Sequence, residues 1–127
     1  MASSIDKRPP VAVGHVRLPV KNVPTTSAFL QKLGLREIFE KDSFAVLELR
    51  GGTHLILEKS RRRTKPGTQA PVDFMVDDVK KARAKYAKMG MKPTRIKSGT
   101  IHSSFFIPGP DGWSYKITSS HTGGRPV

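Results

Sequence analysis

Val11-Ala-Val-Gly-His-Val-Arg-Leu-Pro-Val-Lys-Asn-Val23 and, 56 positions further on, the stretch ending Pro71-Val-Asp-Phe-Met-Val-Asp-Asp-Val79 are two versions of one pattern. Leu18 aligns with Phe74, Val20 with Val76, Asn22 with Asp78 and Val23 with Val79. Without a gap, Leu30 then meets Tyr86, Leu33 meets Met89, Gly34 meets Gly90 and Leu35 meets Met91. The agreement is in residue class and punctuation more than in identity. Self-similarity at a fixed offset marks a chain built from a repeated unit.

Each copy opens with a short strand, Gly14–Val20 or Val72–Val76. A cap follows, Asn22 or Asp78, whose side-chain oxygen suits the free N–H groups of a first helical turn. Pro24 fits that turn because no N–H is needed there. The spacing predicts helices over about Val23–Leu33 and Val79–Met89. Phe29, Leu30 and Leu33 form one apolar stripe and Val79, Ala82, Tyr86 and Met89 the other, with Lys80, Lys81, Lys85 and Lys88 left in water. Gly34 and Gly90 end the helices where a left-handed residue is needed.

Strand signals follow each helix. In the first copy they cover Arg36–Glu40, Phe44–Leu49 and Thr53–Glu58; in the second, Lys92–Lys97, Ile101–Ile107 and Trp113–Thr118. The unit is βαβββ, used twice, which makes the fold class α+β. The expected organisation is a tail over 1–10, a first module over 11–58, a linker over 59–69, a second module over 70–119 and a tail over 120–127. Each module buries one sheet face under its helix and leaves the other face curved and free to help enclose a cavity.

The chain has 127 residues, long enough for one self-sufficient core. It has no cysteine, which excludes disulfides, thiolate nucleophiles, four-cysteine zinc sites and iron–sulfur clusters. The 23 Lys and Arg against 10 Asp and Glu give a formal net charge of +13. These positive charges are dispersed over the second helix, the linker and both ends. No helix-turn-helix pattern and no aromatic-rich RNA-binding strand accompanies them, so nucleic acid is not an expected partner. Walker and dinucleotide glycine patterns are absent. No apolar run approaches the roughly 18 residues a membrane span needs. The polar start with Lys7 and Arg8 lacks an apolar region behind it, so a cytoplasmic location is expected.

Four segments in order, Gly14-His-Val-Arg-Leu-Pro-Val20, Phe29-Leu-Gln-Lys-Leu-Gly-Leu35, Val76-Asp-Asp-Val79 and Gly109-Pro-Asp-Gly112 before a last strand, carry a resemblance. Together they resemble the vicinal oxygen chelate superfamily, the group of glyoxalase I, bleomycin-resistance proteins and extradiol dioxygenases. The resemblance implies two modules with curved mixed sheets around a cavity and helices on the outer faces. It also implies a homodimer, in which modules pair within one chain or swap between two. Enzymes of the group hold a divalent metal with one side chain from the first and last strand of each module. Carried over position by position, these sites fall at His15, Ile56, Pro71 and Lys116. Only His15 is a competent ligand, and the Lys116 ammonium would repel a cation. A divalent metal would therefore need a displaced ligand set drawn from His15, His54 and Glu58, and no cofactor is expected.

Strand alternation lists the cavity face. It places His15 and Arg17 on the first strand and His54, Ile56 and Glu58 on the last strand of the first module. It adds Asp73 and Met75 at the start of the second module, and Ser114 and Lys116 at its end. The resemblance adds His102, Ser104 and Phe106. Lys116 would pair with Asp73 or Glu58 as one structural option. His15, Arg17, His54, Glu58, Asp73, His102, Phe106, Ser114 and Lys116 are thus the candidate ligand-binding residues, and His15 is the candidate catalytic base. Apolar walls with a few convergent cationic groups suit a small polar or anionic molecule. The expected function is sequestration or resistance by ligand binding. A lyase, isomerase or dioxygenase with a displaced metal site is the alternative, and non-specific nucleic-acid binding the minor one.

Overall fold

The computed structural model describes residues 5–127; the first four residues of the expected N-terminal tail lie outside the described residues. The first module runs β1 (His15–Val20), α1 (Val23–Leu33), β2 (Arg36–Glu40), β3 (Phe44–Glu48) and β4 (His54–Lys59). The second runs β5 (Thr68–Val76), α2 (Val79–Lys88), β6 (Lys97–Ser98), β7 (Ser103–Pro108) and β8 (Trp113–Ser119). The sheets have the orders β1-β4-β3-β2 and β5-β8-β7-β6. In each, the first and last strands are parallel and the other pairs antiparallel.

The caps repeat as the alignment requires. The Asn22 side chain accepts the Thr25 N–H and the Asp78 side chain accepts the Lys81 N–H, each at 3.0 Å. Gly34, at φ 129°, closes α1 and donates its N–H to the carbonyls of Leu30 and Gln31. Leu18, Val20, Ala45, Leu47, Leu55 and Leu57 are buried with Val23, Leu30 and Leu33 of α1. In the second module Phe74, Phe105, Ile107, Tyr115 and Ile117 are buried with Val79 and Tyr86 of α2.

Three expectations need correction. The linker is shorter than 59–69, because β4 continues to Lys59 and β5 already begins at Thr68. The strand expected over Lys92–Lys97 is reduced to the two residues of β6. Pro93 has no N–H for a ladder, and Lys92 sits at φ 56°. The segment is held differently: Thr94 donates its N–H to the Phe106 carbonyl and its hydroxyl accepts the Phe106 N–H, while Arg83 donates to the carbonyls of Thr94 and Pro93. Finally, Met89 lies past the end of α2 and is 40% exposed rather than part of the buried stripe.

The modules share one core. β1 lies beside β5. The Trp113 indole N–H donates to the Pro19 carbonyl at 2.8 Å, and the buried Tyr86 hydroxyl donates to the Leu33 carbonyl at 2.7 Å. Outside the core, Arg50 forms a two-pronged pair with Asp77 at 3.0 and 3.2 Å. The Tyr115 ring packs on Phe29 of α1 and Phe74 of β5, with centroids 5.5 and 6.0 Å away. Beside it, the Asp111 carboxyl is buried near the Thr26 hydroxyl, and none of these three groups closes a well-formed hydrogen bond. Burial raises the Asp111 pKa; burial, then the charge of Asp111, raises that of the Tyr115 phenol.

Two outcomes follow from this seam. Tyr86→Phe strands a buried carbonyl and should lower unfolding stability by about 1–2 kcal/mol in urea denaturation, with the denaturant dependence unchanged. The folded protein holds the Asp111 proton more tightly than the unfolded chain. The stability linked to that proton is therefore full below the ordinary value of 3.8 and lost as pH rises through the raised one. Asp111→Asn should remove this loss, seen as a flatter pH–stability curve and higher stability at neutral pH.

Candidate binding surface

The sheet faces turned away from the helices carry the polar residues in lateral rows set by strand register. On the first sheet, His15 lies opposite His54, His54 opposite Glu48, and Glu48 opposite Arg36. The row is wired together: Arg36 pairs with Glu48, and Glu48 meets the His54 imidazole Nε2 at 3.2 Å. The His15 and His54 rings stand 6.0 Å apart. The Arg36 guanidinium, and after it the His54 ring, hold the Glu48 carboxyl below its usual pKa. One step along, Arg17 lies opposite Ile56 and reaches diagonally to an ion pair with Glu58. Both members of that pair are exposed, so it adds little stability.

On the second sheet, Asp73 lies opposite Lys116 and Lys116 opposite Phe106. Ser114 sits farther along β8, between Gln69 and Pro108. His102 precedes β7 and stacks on His121 of the C-terminal segment, with ring centroids 4.0 Å apart, instead of joining the strand face. Among the described residues, no ion pair joins Lys116 to Asp73 or Glu58; Glu58 is taken by Arg17. The structure therefore gathers the candidates into His15 with His54, Arg17 with Glu58, and Asp73 with Lys116 and Phe106, and separates His102 from them.

Arg36 and Glu48 were missed by sequence reasoning. Their signal was available but incomplete: Phe44, Val46 and Glu48 alternate with the buried Ala45 and Leu47, so parity puts Glu48 on the uncovered face. Only the β3–β4 and β2–β3 registers place it between His54 and Arg36.

The uncovered faces are open. His15, Arg17, Pro71 and Asp73 are exposed, and Ile56, Phe106 and Lys116 half-buried. A cleft of about 730 Å³ runs along α1 and one of about 380 Å³ lies at the β3–β4 turn; none of the nine candidate residues lines either. The donor set at the ends of β1, β4, β5 and β8 does not fit a divalent metal. Ile56 and Pro71 offer no side-chain donor, and Lys116 brings a positive charge. Nor do three His, Asp or Glu side chains converge among the described residues. Of the displaced set, Glu58 pairs with Arg17 and lies four residues along β4 from His54.

The sequence profile of the Glyoxalase/Bleomycin resistance protein/Dioxygenase superfamily matches residues 12–117. The chain belongs to this superfamily. No curated protein matches it by sequence. Among solved structures, it is similar to a lactoylglutathione lyase from Agrobacterium tumefaciens, with a TM-score of 0.73, 15% identity and 92% and 99% of the two chains covered. It is also similar to a possible glyoxalase from Bacillus cereus, with a TM-score of 0.69, 23% identity and 84% and 96% covered. A genomically encoded fosfomycin resistance protein from Listeria monocytogenes matches with a TM-score of 0.69, 15% identity and 91% and 98% covered. At these identities the likeness is one of fold: two βαβββ modules with open sheets.

The His54–Glu48–Arg36 row is directly testable by carbon-13 NMR titration of the Glu48 carboxyl. Its favourable charge contribution is present above the ordinary value of 4.5 and lost as pH falls through the lowered one. In Arg36→Ala the Glu48 midpoint should move up toward 4.5.

Proposed function

We propose that this protein binds a small polar or anionic molecule on the sheet faces between His15 and Lys116 without the divalent metal used by the superfamily's enzymes, in the manner of a sequestering or resistance protein. The observation that carries this reading is Lys116. It occupies the last-strand position where the superfamily resemblance implies a metal-binding carboxylate, and its immediate neighbours are Asp73 and Phe106. Together with Arg17 it supplies positive charge beside the apolar surfaces of Ile56 and Phe106, an arrangement suited to an oxygen-rich ligand.

The open faces support a second copy of the chain as the opposite wall. Ile38, Phe39 and Met75 are 49%, 47% and 51% exposed, which is apolar surface that association would bury. The alternative, enzymatic chemistry through His15, His54 and Glu58 around a displaced metal, draws on the proximity of the two imidazoles. It requires Glu58 to leave Arg17.

Calorimetric titration with Zn²⁺, Ni²⁺ and Mn²⁺ separates the two readings. No stoichiometric uptake, and an unfolding temperature unchanged by EDTA, are expected; one bound metal per chain would overturn the metal-free reading. With inorganic phosphate and malonate as probes, thermal unfolding should shift upward, and Lys116→Ala should remove most of the shift. Light scattering should give twice the mass of the 127-residue chain.

A further inference from the structure

The cleft of about 730 Å³ lies on the helix side of the fold, and none of the nine candidate residues of the sheet faces lines it. One wall is the outer face of α1, with Pro24, Ala28, Phe29 and Lys32; the other is the segment from Met89 to Lys92 that follows α2. Its floor is the turn from Pro108 to Pro110. That floor is closely built: a Cβ at Gly109 would lie 2.5 Å from the Tyr115 ring, so the bare backbone rests directly on the aromatic core. The cleft therefore spans both modules.

Its chemistry is one-sided. The walls are apolar, through Pro24, Ala28, Phe29, Met89, Met91, Pro108 and Pro110, and its two charged lining residues, Lys32 and Lys92, are both cationic. They stand on opposite walls. Lys92 is the one non-glycine residue at positive φ among the described residues, at 56°, so the chain holds this wall in a conformation L-residues seldom adopt. The volume falls within the roughly 300–1,000 Å³ of small-molecule sites. The two lysines favour a small anionic occupant.

We propose that this cleft is a second binding site, for a small amphipathic carboxylate whose apolar body lies between Phe29 and Met91 and whose anionic head is held by Lys32 and Lys92. The geometry requires no metal and is independent of the function proposed for the sheet faces.

Decanoate below its micellar concentration is the probe, with decanol as its uncharged counterpart. Isothermal titration should show one decanoate per chain and at least about tenfold weaker binding of decanol, because the charge-assisted contact is missing. Lys32→Glu should weaken decanoate by about tenfold or more. Ala28→Trp, a substitution on the exposed face of α1, should fill the cleft and abolish binding while circular dichroism and unfolding temperature stay near the wild-type values. The decanoate uptake that Ala28→Trp abolishes should persist in Lys116→Ala, which separates this site from the sheet faces. Absent or non-saturating uptake overturns the proposal, as does loss of binding in Lys116→Ala but not in Ala28→Trp. Self-association that Ala28→Trp abolishes, seen by sedimentation without decanoate uptake, would make the cleft a chain–chain contact and also overturn it.

Discussion

Tyr115 is where two small modules become one core. A helix over four strands buries too little apolar surface to be secure alone at this length. The fold therefore depends on contacts that cross the repeat boundary. The ring of Tyr115 belongs to the last strand yet packs on Phe29 of the first helix. Gly109 is held so close to the ring that any side chain there would collide with it. The Tyr86–Leu33 and Trp113–Pro19 hydrogen bonds tie the same two halves together at other heights. The buried Asp111 is the electrostatic cost of this seam: a carboxyl kept from water among groups that do not fully satisfy it.

Because the helices occupy one side of each sheet, most polar positions of the central strands go to the other. On that side the described residues form ion pairs and lateral rows. Charge matters locally. Much of the +13 lies on α2 and on the connection between modules, where exposed lysines and arginines mainly maintain solubility. Arg17 is partly neutralised by Glu58 and Arg36 by Glu48. Lys116 is half-buried beside Phe106 and in no ion pair among the described residues, which makes it the more informative cation of the sheet faces.

The elements that could be read from the chain were those with strong local signals. Asn22, Pro24 and Gly34 bracket α1, and the helix runs over Val23–Leu33 as its caps require. The segment after α2 could not be read so well. Its residues alternate acceptably for a strand, but Pro93 removes a ladder donor and the backbone turns left-handed at Lys92, leaving a two-residue strand and a cleft wall. His102, which the resemblance adds to the cavity face, lies one residue before β7 and beside His121 instead.

By itself, the sequence determined the doubled βαβββ plan, the starts of both helices and which strand face is apolar, because capping, turn chemistry and two-residue alternation are local properties of the chain. Tertiary structure decided which polar residues meet. Register across strands far apart in the chain puts Glu48 between Arg36 and His54, and it brings Arg17 beside Glu58. It also decided that α1 and the segment after α2 leave a basic-rimmed apolar cleft between them. Such features depend on how distant surfaces fit together, and the pattern of a single segment does not encode that.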